Sequence, residues 1–460
     1  MADILLVIFV VCVVLVATRI FFMLNRAKSE KLYASKIIGI LHPYSNGGGG
    51  GERVLWWLIR TIQSMDNDVQ IVLYSKDDNV DYQKKAKTTF NIDLLRPVKV
   101  VKLNTLWIAE YPDKKKLPFT LLVQSLATII MGLEAIIKLT PQVFIDTYGA
   151  AFTMPAAKIL AGCKTCCYVH YPTISTDMLD SVSNRRKTMN NDERIINSTY
   201  KTSIKIIYYR FFALLYAFVG YFVDVVMVNS TWTHGHISYI WRGNSSIHTV
   251  YPPCPVKEFS DLPINQERKN HILSIGQFRP EKDHTLQLES FQKLLSKYSS
   301  DTIPHDLRLV LLGGVRDEFD EERVHRIKEK AKELGVYDRV DFLTNASFAT
   351  LKKVSGESLI GLHCMWNEHF GICVVEYMAS GLIPLAHKSG GPLLDIVDQD
   401  KNGFLADNSQ EYADRMYNIL QMNKGDQIKL QMQARIKSQK FSDENFEDQS
   451  KCVLKLLLKF

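Results

Sequence analysis

Cysteine is scarce in this 460-residue chain, and the eight present are poorly placed for cross-linking. Cys163, Cys166 and Cys167 crowd together, while Cys12, Cys254, Cys364, Cys373 and Cys452 scatter through apolar segments. That distribution fits buried thiols in a reducing compartment and argues against a disulfide framework. Cys163 and Cys166 have C-x-x-C spacing, but the motif leads into a strand-like run and no second pair follows, which speaks against zinc or redox use. A dominant charge is also missing: 56 Lys and Arg face 49 Asp and Glu, a net charge of +7. The basic clusters at Lys84-Lys85-Ala86-Lys87, Lys114-Lys115-Lys116 and Arg185-Arg186-Lys187 read as solvated faces, and no nucleic-acid partner is expected. The low hydrophobicity of disordered chains is absent, since 46% of residues are hydrophobic. That content and length predict two domains, each with its own core.

Basic residues are missing ahead of the first apolar run as well. Ile4 to Leu24 is interrupted only by Thr18 and Arg19, and at about 1.5 Å per residue it spans a hydrocarbon layer of about 30 Å. Only Asp3 precedes it, whereas Arg19, Arg26, Lys28, Lys31 and Lys36 follow. A cleavable signal peptide shows the reverse pattern, so the run is expected to be a single-pass membrane anchor with the rest of the chain in the cytosol. Sequons at Asn197, Asn229, Asn244 and Asn345 would then remain unmodified.

Beyond the anchor, strand and helix signals alternate. Lys36–Leu41 reads as a buried strand, followed by five glycines from Gly47 to Gly51 and an amphipathic helix from Glu52. Strand, glycine loop and helix form a phosphate-approach geometry, although the G-x-G-x-x-G fingerprint is not present. Further strands are expected at Val143–Asp146, Thr165–His170 and Val223–Asn229. Two very apolar stretches, Leu117–Leu139 and Ile206–Val228, carry Pro118, Glu134, Arg210 and Asp224, and read as core helices rather than membrane spans, the alternative being that one of them lays an exposed apolar face on the membrane surface. Tyr251-Pro252-Pro253-Cys254-Pro255 is a stiff crossover and marks a domain boundary. Strands restart at His271–Ile275, Arg308–Leu312, Val340–Leu343, Leu359–His363 and Leu382–Ala386. The predicted organisation is an anchor over residues 1–30, a Rossmann-like domain over 31–255, a second over 256–440 and a terminal helix over 441–460.

The most informative stretch runs from Asn367 to Glu376. Glu368 and Glu376 stand eight positions apart around Phe370-Gly371-Ile372, where a helix is expected to begin. A helix N-terminus suits a diphosphate and carboxylates suit sugar hydroxyls, so one site could hold a nucleotide sugar. Arg279 and Lys282 follow the strand ending at Ile275 and would face that diphosphate, and Ser389-Gly390-Gly391-Pro392 is a tight turn that lets backbone approach a ligand.

These residues resemble the retaining glycosyltransferases of the GT-B architecture, family four. The shared signatures are Gly49-Gly50 with Glu52-Arg53, His170 in Tyr168-Val169-His170-Tyr171-Pro172, Arg279 with Lys282, and the Glu-x7-Glu element of Glu368 and Glu376. The likeness runs from about Lys36 to the C-terminus. It implies an α/β fold with two Rossmann-like doubly wound domains facing a cleft, plus the anchor helix. Within the family, Leu41-His42-Pro43-Tyr44-Ser45-Asn46, the segment from Gly276 to Lys282 and the anchor look like the endoplasmic-reticulum α-1,2-mannosyltransferases of lipid-linked oligosaccharide synthesis. That implies GDP-mannose as donor, a dolichyl-diphosphate oligosaccharide as acceptor of its fourth and fifth mannoses, the ER membrane and other mannosyltransferases of the pathway as partners, and no cofactor or metal. It further implies that Gly49, Gly50, Arg279, Lys282, Phe370, Gly371, Ile372 and Glu376 bind donor, and that His170 and Glu368 are catalytic. One departure stands out: the wider family commonly has Arg directly after the glycine, where this chain has Gln277 and places Arg279 two residues on. The alternatives are a lipid-linked sugar transferase with a different nucleotide sugar and a catalytically silent scaffold subunit, which would be expected to lose Glu368, Lys282 or His170.

Overall fold

A computed structural model describes residues 2–33, 35–108, 110, 119–175, 177–178, 199–299 and 301–458. The clusters at Lys114–Lys116 and Arg185–Lys187, the sequon at Asn197 and Pro118 lie outside them. The chain divides into two compact units, the first comprising residues 1–229, 233–251 and 447–460, the second residues 230–232 and 252–446.

The first unit opens with α1 (Ala2–Tyr33), followed by β1 (Lys36–Leu41), α2 (Gly50–Met65), β2 (Val69–Ser75), α3 (Tyr82–Phe90), β3 (Lys99–Lys102), α4 (Thr120–Lys138), β4 (Val143–Asp146), β5 (Lys164–Val169), α5 (Thr199–Gly220), β6 (Val225–Val228), α6 (Thr231–Ile240) and β7 (Ile247–Thr249). Its strands form one parallel sheet in the order β3-β2-β1-β4-β5-β6-β7. Strand order reverses between β1 and β4, which is where open α/β sheets leave a crevice at the carboxyl ends of their strands.

The second unit contains β8 (Lys269–Ile275), α7 (His284–Lys297), β9 (Arg308–Gly313), α8 (Glu318–Glu333), β10 (Val340–Thr344), α9 (Phe348–Glu357), β11 (Ser358–His363), α10 (Ile372–Ser380), β12 (Ile383–His387), β13 (Phe404–Ala406), α11 (Ser409–Gln421) and α12 (Lys424–Ser438). Its parallel sheet runs β10-β9-β8-β11-β12-β13, so the reversal recurs between β8 and β11. The last helix, α13 (Asp443–Leu457), starts within the second unit and ends within the first.

Central strands are buried on both faces, as expected of parallel sheets covered by helices. Trp56, Tyr74, Phe144 and Tyr168 fill the first unit; Phe278, Phe291, Tyr377 and Tyr412 fill the second. β2, β3, β7 and β13 were not anticipated from the sequence. Three of these are only three or four residues long, too short for periodicity to register. The apolar run from Ile206 breaks at Gly220 because Asp224 bonds β5: its amide donates to the Thr165 carbonyl at 3.1 Å.

The two apolar helices α4 and α5 differ from the expectation of core helices. Only 33% and 28% of their most apolar windows is buried, and both are long enough to cross a membrane. Val123, Leu126 and Ile130 of α4 and Ile207, Phe211, Leu214 and Phe218 of α5 are exposed. The earlier part of α1 is exposed too, through Phe9, Val13, Val14 and Val16, whereas its later part is bolted to the unit. There Phe22 is 2% exposed, an Arg19 guanidinium nitrogen donates to the Ile159 carbonyl at 3.1 Å, Asn25 to the Ile137 carbonyl at 2.9 Å and Arg26 to the Ala161 carbonyl at 2.6 Å.

If the second half of α1 is part of this core, Phe22→Ala will lower the stability of the detergent-solubilised full chain by about 3–5 kcal/mol in urea unfolding. A loss below about 1 kcal/mol would show that the helix is merely tethered.

Candidate functional site

In the second unit the functional side chains meet at the β8/β11 reversal. The loop after β8 carries Arg279 and Lys282, and the loop after β11 carries Glu368. Lys282 Nζ donates to Glu368 Oε2 at 2.6 Å, and His363 Nε2 stands 3.2 Å from the same oxygen. The side chains of Glu368, Lys282 and His363 are 14%, 21% and 3% exposed, so little water reaches the cluster. Burial alone would raise the Glu368 pKa, but the hydrogen bond from His363 and the Lys282 charge outweigh it and hold the carboxyl well below its usual range. Burial likewise opposes a charge on His363, yet the Cys373 sulfur and Glu368 carboxylate push its pKa up to about 9. Lys282 is raised as well, Glu368 and Cys373 outweighing its burial.

The loop bearing Glu368 is clamped by the turn after β12. The Ser389 hydroxyl accepts from the Asn367 amide at 2.7 Å, and the Gly391 amide donates to the Glu368 carbonyl at 2.8 Å. Two glycines are required for this: a Cβ on Gly390 would lie 2.2 Å from the Glu368 carbonyl oxygen, and one on Gly391 would lie 2.5 Å from Phe370 Cα. Gly371 then caps α10 with φ of +109°, a conformation open to glycine, and the helix begins at Ile372. Phe370 is 2% exposed and packs edge-on against Phe441 with ring centroids 5.3 Å apart, so its side chain anchors the loop. Glu376 lies in the second turn of α10, where its carbonyl accepts from the Ser380 hydroxyl at 2.7 Å. Trp232 stacks on His369 at 5.3 Å, and the Thr231 amide donates to Asp395 at 2.9 Å, further fixing this edge.

Arg279 lies three residues before Lys282 on the same loop, and the Lys282 amide donates to its carbonyl at 3.2 Å. Its Nη1 is 3.8 Å from Glu281, and Nε makes no hydrogen bond among the described residues. Lys282, expected beside Arg279 to face a diphosphate at this sheet edge, is paired here with Glu368.

In the first unit a second set meets at the β1/β4 reversal. Gly49 caps α2, its amide donating to Glu52 Oε2 at 2.8 Å, and Gly50 is the first helical residue. Glu52 Oε1 is 3.9 Å from His42 Nε2, whose ring accepts or donates through Nδ1 to the Thr147 hydroxyl at 2.9 Å. His170 Nε2 donates to the Thr147 carbonyl at 3.1 Å, and a Cβ on Gly51 would stand 3.8 Å from that nitrogen. The glycine loop and His170 are therefore neighbours. Thr147 follows Asp146, a buried carboxyl that accepts from the Tyr148 and Gly149 amides at 2.9 and 3.1 Å and is pushed up to about 7 by burial. Among the described residues no group of three or more His, Cys, Asp or Glu is arranged to hold a metal ion.

Thr147, Trp232 and His363 escaped the sequence reading. His363 left one signal: a polar side chain closing an otherwise apolar strand, five residues before Glu368.

Comparison with known proteins bears on the whole chain. Residues 35–241 match the family described as "ALG11 mannosyltransferase N-terminus", and residues 257–440 match "Glycosyl transferases group 1". A human protein named "GDP-Man:Man(3)GlcNAc(2)-PP-Dol alpha-1,2-mannosyltransferase" is 44% identical, covering 95% of this chain and 91% of its own length. A Dictyostelium discoideum protein of the same name is 42% identical over 94% of this chain and 86% of its own. Among solved structures, Anabaena HepE in complex with UDP and glucose aligns with a TM-score of 0.61 at 16% identity, covering 90% of this chain and 98% of that one. Sucrose-phosphate synthase from Thermosynechococcus elongatus aligns with a TM-score of 0.64 at 15% identity, covering 92% and 99%. At such identities these two establish the fold alone, and they agree with the paired parallel sheets. On these matches the chain belongs to the ALG11 mannosyltransferase family and is a glycosyltransferase of GT-B architecture.

Proposed function

We propose that this glycosyltransferase moves mannose from GDP-mannose to a dolichyl-diphosphate-linked oligosaccharide, forming α-1,2 linkages with retention. The observation that carries the site assignment is the Lys282–Glu368 contact beside the N-terminus of α10. It joins a cation, a carboxylate kept ionised and unpaired helix amides at one strand edge. Donor and acceptor are taken from the printed names of relatives that match nearly the full chain.

In this reading the amides at Gly371 and Ile372 and the Lys282 ammonium receive the diphosphate, and Arg279 adds charge from the same loop. Glu368 takes mannose hydroxyls and Glu376 the ribose hydroxyls. Cations and helix amides already in place act most strongly on the charge that develops as GDP leaves, which is where they lower the barrier. In the first unit, Gly49 and Gly50 leave backbone exposed at the start of α2. His170, its Nε2 proton committed to the Thr147 carbonyl, presents its ring beside them to a sugar hydroxyl or the reacting centre. A front-face displacement, in which the leaving phosphate takes the acceptor hydroxyl's proton, accounts for retention without a carboxylate nucleophile.

The membrane reading rests on α1, α4 and α5. The Ile4–Leu24 run of α1 crosses the ER bilayer once with the two units on the cytosolic side, while the exposed faces of α4 and α5 rest on the lipid, removing large apolar side chains from water. A lipid-linked acceptor would be met at that surface.

A transfer assay with purified protein, lipid-linked glycan and a panel of nucleotide sugars should show mannose transfer from GDP-mannose with retention, unaffected by chelators. Lys282→Ala and Glu368→Ala should each cost at least ~100-fold in kcat/KM. Normal rates in both would remove the site assignment. For the membrane face, a fluorophore on Leu214→Cys in a Cys12→Ser, Cys452→Ser background should be quenched by nitroxide-bearing lipids, and one on exposed Ile436→Cys should not. Equal quenching at both positions would sink the lipid-contact reading.

A further inference from the structure

Glu368 accepts from two donors on one oxygen, and in the reading above one of them, Lys282, also receives the diphosphate. Lys282 sits on a loop, is partly exposed and carries a flexible stem, so a diphosphate arriving at the N-terminus of α10 competes directly with Glu368 for its ammonium. His363 is different in kind. It closes β11 in the middle of the sheet, is 3% exposed, and its carbonyl accepts the Tyr412 hydroxyl at 3.0 Å, so it has no freedom to follow a ligand. We propose that His363 is the positioning residue of the donor site, holding Glu368 ionised and aimed at the sugar after the donor's diphosphate has drawn Lys282 away. The inference rests on the assignment of Lys282 and Glu368 to the donor.

The surroundings support this division of labour. Four groups face His363 from separate elements: Lys282 from the loop after β8, Glu368 from the loop after β11, Cys373 from the first turn of α10 and His387 from the end of β12. Of these, Glu368 and Cys373 favour a charged imidazole and raise its pKa to about 9 against the effect of burial. The pKa of His387 is lowered, first by its own burial and then by the His363 charge, so the pair keeps a single cation beside the carboxylate. Without His363, withdrawal of Lys282 would leave a largely buried carboxylate with no countercharge, and it would take up a proton or turn toward water. Either change removes the acceptor that orients the sugar. Because the raised pKa belongs to the charged form, the contribution is complete well below pH 9 and fades as pH rises through that value.

Two conservative replacements separate this role from simple packing. The amide nitrogen of Gln reaches the position of Nε2 and that of Asn does not. His363→Gln should therefore lose about tenfold in kcat/KM for GDP-mannose and His363→Asn about a hundredfold, with GDP affinity within about twofold of the parent in both. The parent's kcat/KM should fall above about pH 9, and His363→Gln should lack that limb. Carbon-13 labelling of the histidine ring in the full-length parent gives a readout independent of any variant's folding. One imidazole should titrate near pH 9 and stay protonated at pH 8 when GDP-mannose is bound. Variants within about twofold of the parent across pH 6–10, or an imidazole at this position titrating below about 7 with donor bound, would overturn the proposal. If Glu368→Ala is inactive while the His363 variants are normal, this inference fails and the donor-site reading stands. If Glu368→Ala is itself normal, the donor-site reading fails.

Discussion

A carboxylate that is nearly out of water stays ionised only if cations and donors replace the solvent it has lost, and Glu368 meets that requirement through Lys282 and His363. The geometry of the second unit follows from holding those three together. The strand β11 must end at His363, the loop must turn back so that Glu368 returns toward the strand, and the loop after β8 must bring Lys282 across. The turn after β12 must press close enough to lock the loop, which two glycines allow. An apolar residue at position 368 would free the fold of the constraint and leave the edge without its carboxylate.

The same solution appears in each unit. Both sheets are parallel, both reverse strand order beside their first strand, and in both the polar residues gather where the strands end. The first unit uses a glycine cap and the Thr147 pivot for His42 and His170. The second uses a glycine cap and the Glu368 pivot for Lys282 and His363. In each case a central polar group on one loop orders side chains delivered by neighbouring strands.

Much of this was legible from the residues. β4 falls on Val143–Asp146 as expected, β11 adds one residue to Leu359–His363, and the helix anticipated near Phe370 starts at Ile372. Long apolar runs bounded by turn residues carry their own signal. β3, β7 and β13 do not, because three or four residues held in place by their neighbours have no period of their own. The pairing of Lys282 with Glu368 was equally hidden, since 86 residues separate them and only the β8–β11 adjacency joins their loops. Thr147 offered no cue at all: it acts on His170 through its carbonyl, a group every residue possesses. The exposed faces of α4 and α5 were legible only as one of two alternatives, because the apolar composition of a helix does not say which of its faces the rest of the chain covers.

The attachment of α1 sets a mechanical condition. Arg19 and Arg26 grip the carbonyls of Ile159 and Ala161, Asn25 grips that of Ile137 near the end of α4, and Glu30 is bonded by Gln142 just before β4. A helix gripped at successive turns cannot pivot like a rope. Any tilt of the later part of α1 is imposed on the sheet behind it, so its direction is set by side-chain geometry rather than by the slack of a linker.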